Sequence, residues 1–430
     1  LPIESAMSPS PIEILASSFF ALAVLHTFCV KQFAHWAAGY PEGSLAENFF
    51  HFLAETEIVF GLWAASLFIG IAALEGSFTA AIEYVTRLNF TEPKFVFVIM
   101  VMAATRPVVR QAETFIGFLA GLLPLKSGTA FYLTALSLGT LLGSFITEPA
   151  AMTLAALMLA DKFFSKDISS KLKYATIGVL FVNISIGGTL TAYAAPPVLM
   201  VAGTWNWDTA FMLTHFGWKA AIAVLINGLA VTLLFAKELA QVSTAKSPSS
   251  ESPTVPMPLV LIHIAILAGI VLFAHYPPLF IGLFLLFMGI ATAYSAHQDR
   301  LILREGLLVA FFLGGLVVLG GQQQWWLQPL LVNMSSDAVF YGATALTAIT
   351  DNAALTYLGS LVEGLSDEFK YSLVAGAVTG GGLTIIANAP NPAGVAILRR
   401  YFDEGAVSPI GLLVSALLPT LVALLAFRYL

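Results

Sequence analysis

Two acidic residues, Glu148 and Asp351, each interrupt a long apolar run, at 128–163 and 337–363. A charged carboxylate at bilayer depth costs at least about 2.5–3.5 kcal/mol. An acid placed there needs a cation, or a proton taken up once desolvation disfavours its charged form. A carboxylate that accepts either can exchange one for the other. The hydroxyls of Thr147, Thr350 and Ser144, the amide of Asn352 and freed backbone carbonyls would complete an oxygen shell. Hard cations such as sodium prefer oxygen ligands, as calcium and magnesium do. A blander alternative makes both acids counter-ions for basic partners, or interfacial.

A second set of residues breaks two other apolar runs, 172–200 and 370–398. Gly187-Gly188 and Gly380-Gly381-Gly382 let the backbone turn tightly. Pro196-Pro197, and Pro390 with Pro392, remove amide hydrogens and clash with a continuing helix. Each run is therefore expected to be a helix broken in mid-membrane. Unwound backbone is tolerated at that depth only where it lines a cavity or is buried in protein. The carbonyls and helix ends freed there are ready ion ligands. Thr189, Thr191, Thr384, Asn388 and Asn391 are the polar side chains within the breaks. For one helix alone a simple proline kink would suffice. A matched pair beside acidic runs favours binding.

These elements recur. Thr147-Glu148-Pro149-Ala150-Ala151-Met152-Thr153 matches Thr350-Asp351-Asn352-Ala353-Ala354-Leu355-Thr356 at an offset of 203 residues, with Gly139 and Ser144 falling on Gly342 and Thr347. Gly187-Gly188-Thr189-Leu190-Thr191 matches Gly381-Gly382-Leu383-Thr384 at an offset of 194, and each continues to an Ala-Pro step. Two matched motifs in the same order indicate a duplication, the hallmark of secondary transporters. Runs of spanning length lie near 11–29, 48–74, 93–105, 172–200 and 216–237, and again near 258–275, 278–296, 305–320, 370–398 and 408–428. Amphipathic stretches follow the third span of each half, at 106–124 and 321–333. Glu4 and Glu13, rather than a basic stretch, precede the first run, which therefore reads as a spanning helix and not a secretory leader.

If 128–163 and 337–363 are re-entrant hairpins, each half has five crossings and the second half is inverted. With the N-terminus outside, 14 of the 19 Lys and Arg residues then face the cytoplasm, as the positive-inside rule asks. The expected fold is an all-α polytopic membrane protein of two inverted repeats, each of five transmembrane spans plus a re-entrant hairpin, with broken helices. The first repeat covers 10–237 and the second 258–430. A cytoplasmic linker over 238–257 joins them, Ser- and Pro-rich and aperiodic at 241–256.

Composition sets the outer bounds. Of 430 residues, 58% are hydrophobic and 10% charged, too apolar for a soluble fold. A net charge of −6 without a basic face argues against nucleic acid. Cys29, the single cysteine, excludes an intrachain disulfide and a cysteine-type zinc site. H-E-x-x-H, P-loop and G-x-S-x-G motifs are missing, so neither an enzyme nor a nucleotide-driven pump is indicated. Glu55, Glu57, Glu113 and Asp161 read as interfacial or locally paired, His26 and His263 as hydrogen-bonded structural residues, and Trp325-Trp326 as interface anchors.

The motif order resembles that of the ion transporter superfamily, which includes divalent anion/sodium symporters, citrate and arsenite carriers, and NhaD-type sodium/proton antiporters. In that group each half carries a re-entrant hairpin with a short Ser-Asn-Thr-like tip, followed by a Gly-Gly…Pro-Pro broken helix. The carboxylate carriers have a neutral Asn in mid-tip, where this chain has Glu148 and Asp351. Two added negative charges would repel a dicarboxylate and suit competition between a cation and protons. The pattern is thus most similar to the sodium/proton antiporters. The resemblance implies exchange of sodium or lithium for protons, with no cofactor beyond the ion, in a bacterial inner membrane, and a homodimer as is common in such families. Symport of a small anion driven by sodium or protons is the alternative.

Overall fold

The computed structural model describes residues 9–55, 58–242 and 255–430. Glu4, Glu57 and residues 243–254 of the expected linker lie outside them. Among the described residues every regular element is a helix. Among these residues five helices are long and apolar enough to cross a bilayer: Pro11–Val30, Ser170–Leu190, Thr209–Leu234, Leu303–Gly320 and Pro409–Tyr429. Two compact units divide the chain. One comprises Leu1–Phe97, Leu303–Met334 and Tyr357–Leu365; the other comprises Val98–Ile302, Ser335–Thr356 and Ser366–Leu430.

In the first unit, Val59–Glu75 and Leu303–Gly320 cross at bare backbone: a Cβ on Gly315 would lie 2.3 Å from the Gly61 amide nitrogen. Small residues at such crossings let helices approach where lipid offers no hydrophobic drive for association. The expected single span 48–74 is two helices, Leu45–Leu53 and Val59–Glu75. The apolar run is cut where Glu55 enters it, and that carboxylate lies 4.0 Å from Arg304. His26 is held between the Leu53 carbonyl at 2.8 Å and the Trp63 indole N–H at 3.2 Å.

The run 93–124, which enters the second unit at Val98, bends by 66° between Thr91–Ala103 and Arg106–Gly121, with Pro107 in the first turn of the second helix, where its missing amide hydrogen costs no intrahelical bond. Met257–Leu272 and Pro277–Ala293, 16 and 17 residues long, stand for the expected spans 258–275 and 278–296. At about 1.5 Å per residue they fall a little short of a hydrocarbon core of about 30 Å. His263 Nδ1 pairs with the Leu259 carbonyl at 2.8 Å, and its Nε2 with the Gln298 amide at 2.7 Å. Asp299, in the loop beyond, accepts from Arg106 Nε at 2.9 Å. That guanidinium holds the Asp299 carboxyl below the usual carboxylate range.

The core of this unit is built on two helices buried on all sides. Ser170–Gly187 is fully buried from Thr176 onward, and Asp367–Gly380 from Ser372 onward. A helix apolar all round belongs in the interior. Val182, Ile186, Val374 and Val378 pack there with Phe216, Ala416 and Ala423. The two helices meet where the Ser185 hydroxyl donates to the Val378 carbonyl at 2.7 Å. Against them lie the interrupted runs, residues 127–146 with Glu148–Leu159 on the first helix and Ser336–Thr347 on the second.

Candidate cation-binding site

Both buried helices stop where the glycines stand. The first continues as a short 3-10 turn, Gly188–Leu190, is non-helical over 191–195, and resumes as Pro196–Trp205. The second is non-helical over 381–390 and resumes as Asn391–Leu398. Proline opens each resumed helix at a position whose amide would have no intrahelical partner.

Hydrogen bonds tie each interrupted run to the break beside it. The Ser144 hydroxyl donates to the Gly187 carbonyl at 2.6 Å and accepts from the Leu190 amide at 2.9 Å. Thr191 donates to the Ser144 carbonyl at 2.6 Å, and Thr384 to the Ala348 carbonyl at 2.8 Å. The Glu148 amide reaches the Ala194 carbonyl at 3.4 Å, and the Asn352 amide the Ala387 carbonyl at 3.1 Å. Asn391 donates to the carbonyls of Gly381 and Thr384, each at 2.8 Å. Another bond between the halves falls at the tip itself: Asn388 Nδ2 donates to Glu148 Oε2 at 2.8 Å.

These contacts recur with a fixed register, which differs from that of the sequence match. Thr191 with Ser144 becomes Thr384 with Ala348, and Glu148 with Ala194 becomes Asn352 with Ala387. A Cβ on Gly187 would meet the Thr140 carbonyl at 2.9 Å, and one on Gly380 the Thr344 carbonyl at 2.4 Å. In every case the shift is 204 residues in the interrupted run and 193 in the broken helix. The equivalence read from sequence, Glu148 with Asp351 and Gly187 with Gly381, is therefore displaced by one residue at each motif. In space Glu148 corresponds to Asn352, Thr147 to Asp351, and Gly188 to Gly381. The shift is the same before the tip, at Thr140 and Thr344, and after it, at Glu148 and Asn352, so the tips are equal in length although Thr147 alone separates Gly143–Ile146 from Glu148–Leu159 and residues 348–351 separate Ser336–Thr347 from Asn352–Ser360.

Glu148 is fully buried, and none of the ion pairs among the described residues includes it or Asp351. Its Oε1 has no hydrogen-bond partner. The same holds for Thr147 Oγ1, both side-chain atoms of Asn352, Asn388 Oδ1 and Asn391 Oδ1. These residues are at most 2% exposed. A buried polar atom without a partner costs about 1–3 kcal/mol, so a cluster of them demands an explanation. Five are oxygens, the donor type a hard cation takes. Gly188 leaves the room: a Cβ there would stand 2.4 Å from Glu148 Oε1. On the second half a Cβ on Gly381 would stand 2.8 Å from Asn352 Nδ2.

Thr147 has φ 74° and ψ 151°, a region that belongs almost wholly to glycine and costs of order 1–3 kcal/mol for other residues. Such an outlier at a polar tip accompanies function more often than chance. Asp351, by contrast, accepts at Oδ1 from the amides of Ala353 and Ala354 at 2.8 and 3.1 Å.

Of the other expected residues, Thr189 donates to the Ile186 carbonyl at 2.7 Å. Thr350 lies half-buried in the turn before Asp351. Gly382 gives close packing, since a Cβ there would touch Val182 at 2.5 Å. No three His, Cys, Asp or Glu side chains gather as a metal-binding group among the described residues. Sequence reasoning passed over Asn183, Ser185 and Asn227. Asn183 donates to the carbonyls of Leu136 and Val224 and accepts from Asn227, bracing the first interrupted run. The signal available was two polar residues, Asn183 and Ser185, just ahead of Gly187-Gly188 in an otherwise apolar run.

Residues 11–430 match a protein family described as "Putative Na+/H+ antiporter". Among curated proteins, none matches the chain.

Proposed function

The chain belongs to this family of Na+/H+ antiporters, and from that premise we propose that it exchanges sodium, or lithium, for protons at a site centred on Glu148. One observation carries the assignment to this residue: a fully buried carboxylate with no ion pair among the described residues and one oxygen free of hydrogen bonds. Such a group needs a positive partner inside the protein. A cation would supply it directly, with the open oxygens of Thr147, Asn352, Asn388 and Asn391 and the carbonyls at Gly187–Thr189 and Gly381–Leu383 as its ligands, those of Gly187 and Gly381 each through the lone pair left by one side-chain bond. A proton on Oε1 supplies it otherwise, by removing the charge. The two occupants exclude each other at one carboxylate, and exchange follows from that exclusion.

The proposed architecture has repeats over 10–237 and 258–430, inverted with respect to one another, joined by a cytoplasmic linker over 238–257. Runs 128–163 and 337–363 are re-entrant hairpins whose tips meet the broken helices near the bilayer midplane. Recurrence of the same contacts in both halves supports the duplication, and the distribution of basic residues supports the inversion, with the N-terminus outside. We place the protein in a bacterial inner membrane, as a homodimer.

The test is made in proteoliposomes loaded with an acidification dye. A proton gradient is imposed, and sodium, lithium, potassium or choline chloride is added. Sodium and lithium are expected to collapse the gradient, and Glu148→Gln to abolish the response. If Glu148→Gln protein, folded and inserted, responds to sodium as the unaltered protein does, Glu148 does not carry the exchange.

A further inference from the structure

The two acids that sequence places side by side in a repeat hold different positions in space. We infer that Asp351 is a positioning residue, capping the second tip, and that Asn352, one residue on, takes in the second half the place that Glu148 takes in the first. This rests on the exchange reading above and assigns unequal roles within it.

Three observations carry it. The contacts that dock each tip recur at 204 and 193 residues, and at that register Glu148 and Asn352 each open a helix and bond through their amides to Ala194 and Ala387. The glycines opposite behave alike: a Cβ on Gly188 would strike the Glu148 carboxylate, and one on Gly381 the Asn352 amide. Finally, the side chains differ in what they are committed to. Asp351 Oδ1 satisfies the amides of Ala353 and Ala354, as an N-cap does, where the helix dipole also favours negative charge. Asn352 is fully buried with neither Oδ1 nor Nδ2 partnered. The group left open to a ligand is the amide, and the acid holds the helix that presents it. The site then contains one carboxylate and one carboxamide at matched positions.

The experiment compares Asp351→Asn, Asp351→Ser and Asp351→Ala with Glu148→Gln, using full-length protein. Sodium-driven proton movement is read in proteoliposomes, and unfolding temperature in detergent with sodium or choline chloride. Asn and Ser can still cap, so they should retain exchange with the sodium KM within about threefold of the unaltered protein, whereas Ala should raise KM about tenfold at little cost in maximal rate. Sodium should stabilise the Asn and Ser variants but not Glu148→Gln. Loss of exchange and of sodium stabilisation in folded Asp351→Asn and Asp351→Ser, alongside an active unaltered protein, would make Asp351 a ligand and overturn the inference. Equal KM values in all three Asp351 variants would overturn it too, by removing the cap. An unaltered protein that neither moves protons with sodium or lithium nor is stabilised by them would defeat the exchange reading itself.

Discussion

At the scale of single residues, the site is defined as much by a missing side chain as by those present. Gly188 leaves the space that Glu148 Oε1 faces, and a Cβ would enter it at 2.4 Å. Gly188→Ala is therefore expected to weaken sodium-dependent proton movement at least about tenfold, since overpacking costs about 1–3 kcal/mol at a site that must also admit an ion. Dye assays over a range of sodium concentrations check this, and an unchanged KM would show that the space is not used. The burial of Glu148 was legible in sequence, because an acid in mid-run of an apolar stretch sits among apolar neighbours. The one-residue displacement of Asp351 from it was not. The Ala-Ala-x-Thr identity after each acid fixes a register of 203, and a slip of one residue leaves no mark on composition or periodicity. Only the hydrogen bonds that dock the two tips, Glu148 to Ala194 and Asn352 to Ala387, show Asn352 in the place of Glu148.

At the scale of elements, the helix breaks were legible and the docking between them was not. Glycine pairs and prolines dictate where a helix must stop. What a stopped helix rests against depends on atoms remote in sequence, such as the Thr140 and Thr344 carbonyls beneath Gly187 and Gly380. The span expected at 48–74 is two helices for a related reason: summed hydropathy averages over the acids Glu55 and Glu57 that lie in the sequence between the two apolar stretches. Matched docking makes a matched prediction. Gly187→Ala and Gly380→Ala each drive a methyl group into backbone, which cannot rotate away. Each is expected to destabilise by about 1–3 kcal/mol, seen as comparable falls in unfolding temperature in detergent. A large effect in one and none in the other would mean that the two docking sites are not equivalent.

At the scale of the whole molecule, the charge that crosses the membrane depends on how many carboxylates take part. With Glu148 alone, one sodium replaces one proton and no net charge moves. An uncompensated charge would couple to an imposed potential by about 2.3 kcal/mol per 100 mV. Sodium-driven proton movement, measured with the potential clamped by potassium and valinomycin at either sign, should therefore change by less than about twofold. A steep dependence on potential would bring a second charge into the cycle. Membrane character was legible from the sequence, because lipid demands apolar spans. The division into two compact units was not, since each gathers segments far apart in the chain.

The twisted backbone at Thr147 gives the transport cycle a measurable energy scale. A handicap of about 1–3 kcal/mol means that, left alone, this tip would prefer a relaxed shape by roughly 5- to 150-fold. The bonds from Ser144 and the Glu148 amide to the neighbouring break are what tip the population back. A bound ion would need to add only a comparable bias to decide which shape prevails.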